Sequence, residues 1–198
     1  MRLLFIRHGR TEWNLEGRYQ GRTDTAVCEA GLAEARRSAE RLREAGVDLL
    51  VTSSLRRASM TADVIATALG GVPCLVDGRL IELDFGEWEG LTQSDIRARW
   101  PMSLKAWKRT PESVQFPGGE SLFDGMNRLC GFLRNPPWLG KEEVRCVAVV
   151  SHSGPIRLAC LLAERRPLAH FRRIAVDACA VHEFAWSAGE DLRPVDLQ

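Results

Sequence analysis

The sequence predicts an α/β fold, a three-layer α/β/α sandwich with a mostly parallel central sheet. Three observations carry this. Continuous apolar runs of strand length, "LLFI", "LLV" and "CVAVV" among them, recur along the chain, as strands buried on both faces require. Stretches of helical period, apolar on one side and charged on the other, separate these runs. The resulting order of strand, helix, strand, helix calls for crossovers between parallel strands, with helices on both sheet faces.

Each element follows from its residues. In "LLFIRHGRTEWN", Leu3–Ile6 form a strand that closes in Arg7, His8 and Gly9. The carboxyl end of a strand is where open α/β sheets bind ligands, although the stretch also fits a strand end with two solvated polar residues. "EAGLAEARRSAERLREAGVD" puts Leu32, Ala35, Ala39 and Leu42 on one helical face, and Gly46 ends that helix. "DLLVTSS" is a second buried strand, "LRRASMTADVIATALGG" a second helix stopped by paired glycines, and "VPCLV" a third, short strand. From about 84 to 137 the chain turns rich in Trp, Pro and Gly, with helical pieces at "TQSDIRARW" and "ESLFDGMNRLCGFLR". This segment is expected to cover the sheet edge as a lid and specificity insertion. "VRCVAVVSHSG" is the strongest strand, "PIRLACLLAE" the helix after it, with Pro155 in its first turn, and "ACAVHEFAW" the last strand.

Bulk properties narrow the function. With 198 residues, the chain reads as a single domain over 1–198 with a full core. Its 27 Lys and Arg against 26 Asp and Glu leave a net charge of +1, too little for a global field, so neither nucleic acid nor a membrane is expected as partner. The six cysteines are scattered without a C-x-x-C pair, which suits free thiols in a reducing compartment. Only five residues other than Met1 precede Arg7, no apolar run approaches the ~20 residues of a membrane span, and no signal peptide is expected. The expected location is the cytoplasm.

The second histidine of interest repeats the grammar of the first. "CVAVVS" runs into His152, Ser153 and Gly154 and then a helix, whereas His170 and His182 lack this setting. The strand "LLVTSS" ends at Ser53 and Ser54 and leads to Arg56 and Arg57 on a first helical turn. Cations are unfavourable there because the helix dipole prefers negative charge at that end, and a bound anion would remove the conflict. Two histidines with an arginine at a strand end and another at a helix start make a pocket expected to take a phosphoryl group, whose oxygens guanidinium grips bidentately.

Arg7-His8-Gly9 with Thr11 and Asn14, "SSLRRASMTA", "ELDFGEWEG", "PGGES" and "SHSG" together resemble the histidine phosphatase superfamily, the branch of cofactor-dependent phosphoglycerate mutases and α-ribazole phosphatases. The match runs in order from Leu3 to about Leu162. It implies a phosphoglycerate mutase-like fold and a phosphoric monoester hydrolase that works through a phosphohistidine, without a metal or other cofactor, on a small-molecule phosphate ester. The family pattern falls on Ser53, Leu55, Arg57, Ala58 and Thr61, so Arg57 rather than Arg56 becomes the phosphate ligand. His8 is then the nucleophile, Arg7, Arg57 and His152 stabilise the phosphoryl oxygens, and Asn14, Gln20, Gly21 and Ser153 complete the phosphate site. Composition alone does not choose a proton donor among Glu82, Asp84, Glu87 and Glu89; the family motif selects Glu82. Glu120 and Ser121 are either polar groups near the site or, with Gly119, parts of a turn and a helix cap.

The chain departs from the family pattern at Arg10, Cys28, Met60 and Ser153, none of them an inferred nucleophile or acid. A mutase is the rival reading. The mutases resembled are longer, with a tail that shields the phosphoenzyme, and this chain ends soon after its last strand. A phospho-ligand binding domain without catalysis is the rival of another class, favoured only had His8, Arg57, Glu82 or His152 been replaced. α-Ribazole phosphate is one candidate substrate among several, and a homodimer is the assembly to look for.

Overall fold

The computed structural model describes residues 1–189 and 192–195. Strands β1 (Arg2–Arg7), β2 (Leu49–Thr52), β3 (Cys74–Val76), β4 (Cys146–Ser151), β5 (Val181–Ala185) and β6 (Arg193–Pro194) make one sheet in the order β3-β2-β4-β1-β5-β6. The first four run parallel, while β5 and β6 join antiparallel beside β1. The sheet is thus mostly parallel, as the alternating pattern requires, with an antiparallel margin at the late strands. β6 carries no apolar pattern and was not foreseen.

Alternation along the strands splits the core into two layers. Leu4, Ile6, Leu50, Ala148 and Val150 face Ala39 and Leu42 of α2 (Glu29–Leu42) and Ala58, Ala62 and Ile65 of α3 (Arg56–Ala68). Leu3, Phe5, Val51, Val147 and Val149 face the other way, onto Leu129 and Phe132 of α6 (Leu122–Arg134) and Ile156 and Leu158 of α7 (Ser153–Ala163). Short helices α1 (Glu12–Leu15), α4 (Gln93–Arg99) and α5 (Pro101–Arg109) lie in the connections. α1 and α5 were not anticipated.

Helix starts explain several local choices. In α2, Leu32 is only half-buried, and Glu34 and Ser38 complete the buried face instead. Cys28 at its N-cap forms no side-chain capping bond, the consequence of a thiol where an oxygen would serve. Glu34 is there to hold Arg10, whose Nε donates to Oε1 at 2.5 Å. Ser121 caps α6 through a reciprocal box with Asp124. Trp88, Trp107 and Phe116 are buried, as is Trp138 just beyond, so the Trp-rich stretch from 84 to 137 builds core.

Candidate active site

Parallel register assembles the site. The β1–β4 ladder ends with Arg7 opposite Ser151, and β4–β2 with Val150 opposite Thr52. The next residues, His8, His152 and Ser53, therefore emerge together at one sheet edge. The ladder reaches that far: His8 N donates to the Ser151 carbonyl at 2.9 Å and Ser53 N to that of Val150 at 3.0 Å. Gly9 turns the chain away against α2, where any side chain would run into the Gly31 carbonyl.

His8 is 3 % exposed, and its Nδ1 lies 2.7 Å from the Gly9 carbonyl. A carbonyl only accepts, so Nδ1 carries the proton and Nε2 keeps its lone pair. That Nε2 receives Arg57 Nε at 3.3 Å and faces the cavity that His8 lines. Burial, followed by the Arg57 and Arg7 cations, holds the imidazole well below its usual 6.5, outweighing the Gly9 bond. His152 stands beside it, ring centroids 5.1 Å apart, with Nε2 2.8 Å from Ser53 Oγ. It is wholly buried and does not itself line the cavity; burial, then Arg57 and His8, hold it well below 6.5 as well.

Arg57, on the first turn of α3, is fully buried and spends its fork on loop carbonyls, Nη1 on Thr23 at 2.8 Å and Nη2 on Gly21 at 2.6 Å. Arg56 points to solvent. The helix start that looked short of negative charge is served from elsewhere, because Asp24 accepts the Arg56 N–H at 2.7 Å. Arg7 Nη1 donates to the Val176 carbonyl at 2.8 Å, and its buried Nε, like Nδ1 of His152, has no partner among the described residues. Asn14 commits its Oδ1 to Thr11 and Gln20 its Oε1 to the Thr25 hydroxyl at 2.6 Å, which leaves both amide N–H groups for a ligand.

Glu82 is 5 % exposed. Its Oε1 accepts the N–H groups of Leu83 at 2.9 Å and Gly154 at 3.0 Å, and Oε2 accepts the Ser153 hydroxyl at 3.2 Å. A Cβ on Gly154 would collide with Oε1 and with Leu83, so the glycine after Ser153 is what lets the carboxylate lie against the start of α7. The neighbouring acids are otherwise engaged. Glu89 collects the N–H groups of Arg22 and Thr23, Asp84 accepts Gly86 N at 2.9 Å, and Glu87 faces solvent. Glu120 pairs with Arg22 and Arg128. Neither Glu120 nor Ser121 reaches the cavity.

A cavity of about 230 Å³ opens over these groups, lined by Arg7, His8, Asn14, Gln20, Gly21, Arg57, Glu82 and Ser153. Its outer wall was not read from the sequence: Arg18, Tyr19, Phe85, Trp107, Arg157, Phe171 and Arg172. Of these, only Phe85 and Trp107 belong to 84–137. Arg157 did leave a signal, as the one charged residue within an otherwise apolar helix; Phe171 and Arg172 sit in a 3-10 helix, Leu168–Arg173, too short to show a period in the sequence. Among the described residues, no group of three or more His, Cys, Asp or Glu is placed to hold a metal ion.

Residues 3–193 match the model of the histidine phosphatase superfamily (branch 1). The chain is 36 % identical over 163 residues to phosphoserine phosphatase 1 of Hydrogenobacter thermophilus, covering 79 % of this chain and 73 % of that one. It is 41 % identical over 167 residues to a 2,3-bisphosphoglycerate-dependent phosphoglycerate mutase of Methylobacterium sp., covering 82 % and 80 %. A mycobacterial glucosyl-3-phosphoglycerate phosphatase, solved in complex with VO3, superimposes with a TM-score of 0.82 at 32 % identity, over 100 % of this chain and 98 % of that one.

Proposed function

Because the chain belongs to the histidine phosphatase superfamily, branch 1, and is a phosphatase of that family, we propose that it hydrolyses a small phosphate monoester through a phosphohistidine on His8. The observation that carries this reading is the Nδ1–H bond to the Gly9 carbonyl. It fixes the tautomer, and burial among cations keeps the ring neutral, so the Nε2 lone pair, held only by a long bond from Arg57 Nε, is the nucleophile at the inner end of an arginine-lined cavity.

In the first step His8 Nε2 forms a bond to phosphorus as the P–O bond to the alcohol breaks. Charge growing on the phosphoryl oxygens meets the Arg7 and Arg57 guanidinium groups and the Asn14 and Gln20 amides, while His152, buried beside His8, backs the nucleophile from behind the cavity wall. Glu82 delivers a proton to the departing alkoxide. Oε1 is held by two backbone N–H groups, which leaves Oε2, shared only with Ser153, to carry that proton. In the second step Glu82 takes a proton from water, whose oxygen attacks phosphorus as the P–N bond breaks; inorganic phosphate leaves and His8 is neutral again. The positive charge at the phosphate comes from arginine side chains, so this scheme runs without a metal.

Segment 84–137 acts here as lid and specificity element together with Phe171 and Arg172. α-Ribazole phosphate, phosphoserine and phosphoglycerates are all candidates for the ester. The 41 % identity to a phosphoglycerate mutase favours one second reading, transfer of the phosphoryl group to another alcohol in place of water. Brief mixing with ³²P-labelled substrate and quenching in alkali should trap an acid-labile, alkali-stable label that is absent from His8→Ala together with activity. Substantial turnover by His8→Ala would refute the assignment. Interconversion of phosphoglycerates faster than phosphate release would favour the mutase.

A further inference from the structure

The cavity holds more positive charge than one phosphate needs. A phosphate monoester brings about two negative charges near neutral pH, and Arg7 and Arg57 at the inner end match them. Of the cations on the outer wall, Arg18 is paired with Glu16. No ion pair among the described residues engages Arg157 or Arg172. The carboxylate lining the cavity is Glu82, already assigned to proton transfer.

These two arginines are also held in place. Arg157 lies over the Phe171 ring at 5.5 Å, Phe171 packs on Trp107 with centroids 5.5 Å apart, and Arg172 lies over Trp107 at 5.4 Å. The row alternates cation, ring, ring, cation along the wall. Arg157 is fixed further by donating Nε to the Ile174 carbonyl at 2.9 Å, which leaves its terminal nitrogens without a described partner. Burial is the main cause of its lowered pKa; the Glu82 carboxylate opposes that shift, while the neighbouring Arg7 and Arg172 cations add to it, so several cations share the one carboxylate that lines the cavity. Holding repelling cations on a cavity wall costs stability, and an anion between them would reverse the sign of that interaction.

We infer that Arg157 and Arg172 receive a second anionic group on the alcohol part of the substrate, a carboxylate or a second phosphate, so that the preferred esters are phosphorylated acids or bisphosphates rather than phosphates of neutral alcohols. This rests on the phosphatase reading and narrows its substrate class. The rings beneath the two guanidinium groups exclude water from one side, and each planar fork then offers parallel N–H donors to an oxyanion.

The test is competition against p-nitrophenyl phosphate by three ligands of similar size: 3-phosphoglycerate, propane-1,3-diol bisphosphate and glycerol 3-phosphate. The first two should inhibit roughly 10–100-fold more tightly than the third, the worth of one or two charged hydrogen bonds. Which of the two wins identifies the second group as carboxylate or phosphate. In Arg172→Gln and Arg157→Gln the ratio of inhibition constants, glycerol 3-phosphate over the tighter acid, should fall toward one. Arg172 is exposed, so its variant folds even where loss of Arg157 disturbs α7. Equal inhibition by all three ligands overturns the inference, and an unchanged ratio in either variant removes that arginine from it. Failure to turn over p-nitrophenyl phosphate at all is a failure of the phosphatase reading instead, and calorimetric titration of the same three ligands then decides the inference on its own.

Discussion

Glu82→Gln is the substitution that separates holding the site together from moving a proton through it. In the folded protein Glu82 Oε1 accepts two backbone N–H groups and Oε2 meets the Ser153 hydroxyl. A glutamine of the same shape keeps a carbonyl oxygen for the first two, and its amide N–H can donate to Ser153. The change replaces charge-assisted bonds by neutral ones, a loss of about 1 kcal/mol, so melting should fall by only a few degrees. What disappears is the transferable proton. General acid catalysis contributes about 10²–10⁴-fold, equal to roughly 3–5 kcal/mol of barrier at ~1.4 kcal/mol per decade. Hydrolysis of alkyl phosphates should slow by that factor, while p-nitrophenyl phosphate, whose phenolate leaves unassisted, should slow far less. Parallel kcat/KM measurements on the two ester types read the difference directly. Gly154→Ala, which pushes a methyl group into Oε1, should reproduce the same dependence on leaving group with the carboxylate still present. Glu87→Gln is the suitable control because Glu87 faces solvent, whereas Asp84 and Glu89 hold loops and their loss confounds the comparison. Equal slowing of both esters in Glu82→Gln, or a leaving-group-dependent defect in Glu87→Gln, would refute the assignment.

Two further outcomes are expected. Turnover should survive EDTA and be inhibited by vanadate, which adopts the five-coordinate geometry of phosphorus in transfer; loss on chelation with recovery on adding Mg²⁺ or Zn²⁺ would overturn the arginine-only account. Stability without ligand should depend on pH through His8 and His152, both held well below 6.5 in the folded state. Unfolded imidazoles bind protons below about 6.5 and the buried ones do not, so stability is complete above that pH and declines beneath it, by up to about 1.4 kcal/mol per pH unit for each ring. Urea unfolding between about pH 5 and 8 measures this, His8→Asn should remove about half the slope, and a flat profile would show that the rings protonate in place.

The inner half of the site was legible because it is written at strand ends. A buried strand announces itself by composition, and Arg7, His8, His152 and Ser153 follow such strands immediately, so adjacency in sequence became adjacency in space through the parallel register. Arg57 was harder, since helical position alone did not separate it from Arg56; the family pattern made that choice, and the structure buries one and exposes the other. The outer wall escaped for the opposite reason. Tyr19 lies in irregular chain and Phe171 and Arg172 in a short 3-10 helix, neither long enough for a period to mark a face, and long-range packing alone brings them to the cavity. A serine after paired glycines suits a polar site group and a helix cap equally; its box with Asp124 makes Ser121 a cap. The antiparallel entry of β5 was equally invisible, because strand direction depends on the path of the connection from 164 to 180, not on the strand's own residues.

The loop of residues 18–25, whose carbonyls hold Arg57, is stitched to the segment after Asp84 rather than lying beside it. Arg22 reaches both Asp84, at 3.2 Å, and Glu120, at 2.9 Å, Glu89 takes the N–H groups of Arg22 and Thr23, and Tyr19 donates its N–H to Leu91 and accepts that of Gly90. Arg57 then ties the same loop to His8. Residues 84–120 are consequently a poor cassette for swapping between relatives. A graft that brought new aromatic residues to the cavity but lost the acids facing Arg22 would release the loop whose Gly21 and Thr23 carbonyls position Arg57, and the exchange would alter chemistry along with selectivity. Drift in substrate preference is therefore easier by single changes at an exposed position of the outer wall such as Arg172, which stands apart from the loop that positions Arg57.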